Sequence, residues 1–547
     1  MAAGIVLVKV IGAIFKIPLG NILGDEGFGH FNNAYVIYSL LMVISTTGLP
    51  VALSKTISEA HTLGRNNQVR QVFRVASVTF FVLGVVSSVV MFFFAGNFAD
   101  ILSNPGATLA IRALAGTCLF VCIISAFRGY AQGHANMVPT ATSQVFEALG
   151  KLLVGIVLAW FFMSRGEGTE KAAAGAIAGV TVGALIALVY LIYNFRRNPE
   201  PRALTERRDR PHSSKRILQQ LMIIAVPITI TASISPITTM IDTYQVQNIL
   251  RVVMDVEPAQ FYRDADLVDP VIATYGAYQK AITIYNLPAA FIVALTTAVI
   301  PAISACWAKR NRRGATQIAV SSLRVGALLI LPAGVGLSVL AAPIMNLLYR
   351  STDHAVADPC MALLGIASIF VCQAMLCSAI LQASGFVNVP VAVMAVGCVL
   401  KIVVNNFLVR QAGIGILGAP VGTIVCYVII TAVELWMIKR VISENISYRQ
   451  IFGKPLIATA AMGGCAWGVS GVMSRILVSL SPFQRVAAES NVVELSWTGN
   501  AISTMLAIGV AVIVYAALVV FLRAITKDDL SLMPKGDKIA AILRIRN

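Results

Sequence analysis

Charge is scarce in this chain. Asp, Glu, Lys and Arg make up 12% of its 547 residues, about half the share carried by ordinary soluble domains. With 57% hydrophobic residues and a mean hydropathy of +0.80, that scarcity excludes a soluble globular protein. The nine cysteines include no CxxC pair; Cys118 and Cys122 stand four apart in an apolar run, as small core residues do. The five histidines form neither HxxH nor HExxH, so no metal or cofactor site is indicated. No basic segment precedes the first apolar run, which argues against a cleavable signal peptide.

In place of charge the chain has long apolar runs, each of about 20 residues and sufficient to cross a bilayer. Fourteen spans are expected, near 3–23, 31–54, 72–96, 107–131, 139–163, 172–193, 218–241, 271–300, 318–342, 358–382, 389–409, 413–438, 455–478 and 500–524. Basic residues collect in every second loop: 55–71, 194–217 (Arg196, Arg197, Arg202, Arg207, Arg208, Arg210, Lys215, Arg216), 301–317, 439–454 and the tail after Leu522. The intervening loops are acidic or poor in basic residues, as 24–30 with Asp25 and Glu26 and 242–270 with six acids. That alternation places both termini on the cytoplasmic side of a plasma membrane. The net charge of +17 then reflects topology and anionic lipid, not nucleic acid.

Two pieces of the chain repeat. QGHANMVP (132–139) leads into a helix with Lys151, and QASGFVNVP (382–390) into one with Lys401. STTGLPVALSK (45–55) resembles TTAVIPAISA (296–305). Both matches relate a helix to the sixth after it, which preserves direction across the membrane and makes the halves parallel repeats. The expected organisation is an N-terminal lobe and basic linker (1–217), a second six-helix lobe (218–454), then two added helices and a basic tail (455–547).

Charges inside the spans are costly, at roughly 2.5–3.5 kcal/mol each near the bilayer centre. KVIGAIFKIPLG (9–20) carries Lys9 and Lys16 two turns apart on one helix face. Lys280, Lys401 and Asp242 also fall within or at the ends of spans. Lys55, Arg128 and Glu434 lie nearer helix ends, where snorkelling to the interface accounts for them. Glu147 and Lys151 are spaced i,i+4, as an ion pair would be. Cations dominate, so a cavity built from them suits a carboxylate, phosphate or pyrophosphate. Gly12, Pro18, Pro227, Pro236 and Pro288 stand where helices could bend around it.

The opening KVIGAIFKIPLGNILGDEGFGHFNNAYVIYSLLMVISTTGLPVALSKTISEA resembles the stage V sporulation protein B family, as do FRGYAQGHANMVPTATSQVFE, YNLPAAFIVALTTAVIPAIS and GILGAPVGTIVCY. That family is similar to the MurJ-type lipid II flippases of the multidrug/oligosaccharidyl-lipid/polysaccharide exporter superfamily. The resemblance implies an all-α, V-shaped transporter of about fourteen helices, in which two lobes rock to move an undecaprenyl-pyrophosphate-linked saccharide outward. It places Lys9 and Lys16 near the family's first-helix arginines, with Lys16 displaced by one residue. The helix-8 arginine falls on Thr283, one turn from Lys280. The implied substrate-binding set is Lys9, Lys16 and Lys280 with Lys55, Arg128 and Lys151. The sodium site of some relatives falls on Asp242, Lys401, Asn405 and Thr423, where a Lys401–Asp242 pair is expected to replace the ion. Expected partners are the lipid-linked anionic saccharide, membrane lipid and enzymes of cell-wall or polysaccharide synthesis, with a monomer as the working form and no catalytic residues. A cation-coupled drug exporter would need cavity acids instead. A membrane-embedded glycan polymerase would need catalytic spacing that Asp255, Glu257, Asp264, Asp266 and Asp269 of the external loop do not show; solvated surface is their expected role.

Overall fold

The computed structural model describes residues 2–197, 212–256, 269–411, 413–442, 446–486 and 493–525. They form two compact units, Met1–Gln279 and Lys280–Asn547. The first contains α1 (Ala2–Thr46), α2 (Gly48–Thr62), α3 (Asn66–Phe93), α4 (Ala95–Ile101), α5 (Thr108–Gly133), α6 (Val138–Ser164), α7 (Thr169–Arg197), α8 (Ser214–Val256) and most of α9 (Pro270–Tyr285). The second contains α10 (Leu287–Ala308), α11 (Arg312–Val339), α12 (Ala341–Leu348), α13 (His354–Ala383), α14 (Asn388–Leu408), α15 (Gly418–Val441), α16 (Tyr448–Val478) and α17 (Trp497–Phe521). A three-residue ribbon, β1 (Gln484–Val486) antiparallel to β2 (Val493–Leu495), is the one sheet among the described residues.

Thirteen helical stretches among the described residues are long and apolar enough to span a membrane. The first, Ile14–Thr62, has 49 residues, or about 74 Å at 1.5 Å per residue, and takes in the expected crossing 31–54 with the second half of 3–23. Its break is at Gly24, whose φ of 67° and ψ of −167° suit glycine alone, not at Gly12 or Pro18. Residues 24–30 are therefore not an exposed loop. Residues 25–30 start the helical stretch beyond the break, and Asp25, Glu26 and His30 are buried. Helix formation also shortens the expected 242–270 loop, because α8 runs to Val256. Residues 257–268, with Glu257, Asp264 and Asp266, lie outside the described residues, as does the Asp255 side chain. Asp269 is not solvated surface: its carboxylate pairs with Arg251 at 2.6 Å. Near the expected bend at Pro288 the chain passes from α9 to α10 at Asn286, with Pro288 in the first turn of α10, where its missing N–H costs nothing.

The packing units part at 279/280, whereas the sequence reading divides its lobes at 217/218. The reason is local. α8 packs on α2 with Gly48 against Ala225, and α9 packs on α1 with Gly276 against the Asp25 carbonyl. A Cβ on Gly276 would stand 1.8 Å from that carbonyl oxygen, too close for any rotamer to relieve. We expect Gly276→Ala to lower the melting temperature of the detergent-purified protein by a shift corresponding to at least about 1–3 kcal/mol. An unshifted melt would contradict this crossing.

The repeated turns share their geometry. Ala135 (φ 57°) and Gly385 (φ 88°) both end their helices in the left-handed region. In each, the third residue after the glutamine donates to its carbonyl (Ala135 to Gln132, Gly385 to Gln382). Equivalent packing follows: Gly133 sits against Ser54, and the Ser304 hydroxyl donates to the Ala383 carbonyl. In the core of the first unit Phe15, Leu19, Phe28 and Phe31 meet the small residues Ala172, Ala173 and Ala176 of α7. α11 and α13 are the most buried helices of the second unit, with α16 and α17 packed on each other and α16 on α11.

Candidate functional site

On α1, Phe15 meets Phe31 edge-on at 5.9 Å, and an aromatic run continues along the helix. Phe31 stacks on Phe28 (6.0 Å) and Tyr35 (5.7 Å), and Tyr35 meets Tyr38 edge-on at 5.5 Å. The Tyr35 ring is thus held on both sides while remaining half-buried. Two lysines converge on it. Lys16 Nζ lies 5.8 Å from its centroid and donates to Asn32 Oδ1 at 3.4 Å. Lys151 Nζ, from α6, lies 4.9 Å from the same centroid and 4.8 Å from that of Phe15, and donates to the Tyr35 hydroxyl at 3.3 Å. Cation–π contacts of this kind hold an ammonium by its charge without neutralising it.

The pairing expected along α6 is not what forms. Glu147 accepts from Arg128 of α5 at 2.9 Å, and Arg128 Nε also donates to Ser143 Oγ at 2.9 Å. Arg128 is therefore anchored by a carboxylate and does not snorkel. Lys151 keeps no carboxylate partner among the described residues. Glu434 does not snorkel either: it is fully buried and accepts from Ser378 Oγ at 2.6 Å.

The remaining expected residues fall elsewhere. The Lys9 side chain lies outside the described residues, although its backbone is helical. Lys55 is exposed on α2 and lines a cavity of about 700 Å³ with Ser54, Ser58, Glu59 and Gln132. Lys280 is fully buried in the second unit, where it donates to the Ser351 carbonyl at 2.9 Å and lies over Tyr349 at 5.5 Å. Of the set matching a sodium site, Asp242 is half-buried in the first unit. Within the second, Lys401 is half-buried, Asn405 is fully buried with its Oδ1 against Gly422, and Thr423 donates to the Ala419 carbonyl at 3.0 Å. The second unit also has an apolar cavity of about 590 Å³, lined by Phe291, Leu329, Leu337, Ile344, Val512 and Tyr515.

Sequence reasoning missed Phe15, Asn32 and Tyr35. For Tyr35 a signal was present, as aromatics at i, i+3, i+7 and i+10 from Phe28 form one helical stripe. It also missed a buried polar cluster in which His30 Nδ1 meets Asn104 Oδ1 at 2.7 Å and Nε2 lies 3.9 Å from Glu26.

Comparison with known proteins follows the same lines. The family model described as "Polysaccharide biosynthesis protein" matches residues 1–307, and the MatE model matches 273–407. Stage V sporulation protein B of Bacillus subtilis is 25% identical over 541 residues, covering 98% of this chain and 96% of that protein. The lipid II flippase MurJ of the same organism is 26% identical over 483 residues, covering 85% and 86%. A solved structure of a lipid II flippase MurJ in an inward closed conformation shares the fold, with a TM-score of 0.65 at 13% identity over 94% of this chain and 97% of that one. The chain belongs to the polysaccharide biosynthesis protein family and is a multi-pass membrane protein.

Proposed function

We propose that this protein moves a saccharide linked to undecaprenyl diphosphate from the inner to the outer leaflet of a bacterial plasma membrane, with both termini cytoplasmic. The observation that carries this reading is Lys151, a cation held over Phe15 and Tyr35 with Lys16 at the same ring and its neighbouring carboxylate engaged by Arg128. Such a site favours a compact anion and disfavours a cationic drug. The apolar cavity of the second unit suits a prenyl chain, and the named flippases among the relatives support the cargo class. Lys9 and Lys280 belong to the same reading as further phosphate ligands in conformations that expose them, and Asp242, Lys401, Asn405 and Thr423 as a coupling set without sodium. An inside-negative potential would drive the anion outward by about 2.3 kcal/mol per charge per 100 mV.

Depleting the protein in its host and identifying the lipid-linked saccharides of the inner leaflet tests the function. One undecaprenyl-diphosphate saccharide should accumulate there several-fold. No change in any such lipid, under depletion that causes a phenotype, would overturn the reading.

A further inference from the structure

We propose that the Tyr35 hydroxyl is itself a ligand of the transported anion, donating a hydrogen bond to it between Lys16 and Lys151. This rests on the carrier function proposed above and names a residue of its site. The argument is one of donors and acceptors. An ammonium has three N–H donors and no acceptor, so in the 3.3 Å contact between Lys151 Nζ and Tyr35 the hydroxyl oxygen must accept. The hydroxyl proton then points elsewhere, and no acceptor for it exists among the described residues.

What converges here is a set of donors. Lys151 keeps N–H groups beyond the one given to Tyr35, and the hydroxyl keeps its proton. Lys16 brings its ammonium to the same ring, 5.8 Å from the centroid. An anion with several acceptor oxygens, such as a phosphate of a polyprenyl diphosphate, satisfies such a set; a neutral or cationic solute does not. The ring is fixed in place by Phe31 on one side and Tyr38 on the other, so the hydroxyl is presented without further ordering. Tyr35 is half-buried, hence reachable.

Two substitutions separate the hydroxyl from the ring. Tyr35→Phe keeps the stack and the cation–π surface and removes the hydroxyl alone, both the donor to the anion and the acceptor of the Lys151 ammonium. Tyr35→Leu removes both. Binding of undecaprenyl diphosphate to the full-length protein in detergent is read by thermal shift and by titration. Tyr35→Phe should melt as the wild type does without ligand and bind about tenfold more weakly or worse, since a hydrogen bond to a charged group is lost. Tyr35→Leu should bind more weakly still, because Lys16 and Lys151 lose their common support. A Lys151→Ala, Tyr35→Phe double variant should lose less than the two single losses combined, because the pair acts on one anion. Binding by Tyr35→Phe equal to wild type overturns this assignment and leaves the carrier reading standing. Absence of binding by the wild type overturns both.

Discussion

Replacing Lys151 with alanine should leave a folded protein that no longer binds undecaprenyl diphosphate at concentrations saturating the wild type, and that fails to rescue cells depleted of the native copy. The loss should be on the order of 100-fold in affinity. One charge-assisted hydrogen bond contributes about 1.5–3 kcal/mol. Coulomb attraction at 4 Å adds about 4 kcal/mol at an effective dielectric of 20, offset in part by desolvation. The fold should tolerate the change, because Lys151 satisfies no carboxylate and its stem is half-buried on α6. Lys151→Arg should recover part of the binding: the charge remains, while the planar guanidinium no longer meets Phe15 and Tyr35 as a point charge. Lys55→Ala, at an exposed position on α2, provides the contrast, with an effect of threefold or less. Equal binding by folded Lys151→Ala would remove the observation on which the proposed function stands.

Much of this was legible in the sequence, and the parts that were not have physical causes. Apolar run lengths located the membrane helices because a bilayer's thickness imposes a minimum length on each. The 24–30 segment was misread because two acids and a histidine in seven residues look like solvated loop. Here the segment ahead of α5, the start of α7 and α9 bury them, as His30 finds Asn104, Gly27 meets Thr169 and α9 presses Gly276 onto Asp25. Lys16 and Lys151 were legible as charges out of place. Their shared partner was not, since nothing in spacing brings Tyr35 of α1 to a lysine 116 residues away. Glu147 shows the same limit: an i,i+4 lysine was the visible partner, and tertiary packing of α5 supplied Arg128 instead.

Arg128→Ala should be the most destabilising charge substitution in the first unit, and its cause can be isolated. Arg128 and Glu147 form a pair whose side chains are 13% and 22% exposed, and Arg128 also holds Ser143. Removing one partner of a pair this enclosed leaves an uncompensated carboxylate, at a cost of about 3–5 kcal/mol, partly relieved if another cation moves in. The nearest cation by helical spacing is Lys151, one turn along α6. Its capture by Glu147 would draw it from Tyr35, so the variant should lose ligand binding as well as stability. Arg128→Ala combined with Glu147→Gln removes the stranded charge. Lys151 then stays over its rings, and both melting temperature and undecaprenyl diphosphate affinity should return to near wild type. Recovery would make Arg128 a guard that keeps Glu147 away from Lys151. A double variant that regains stability while binding stays abolished would instead make Arg128 a direct ligand of the anion.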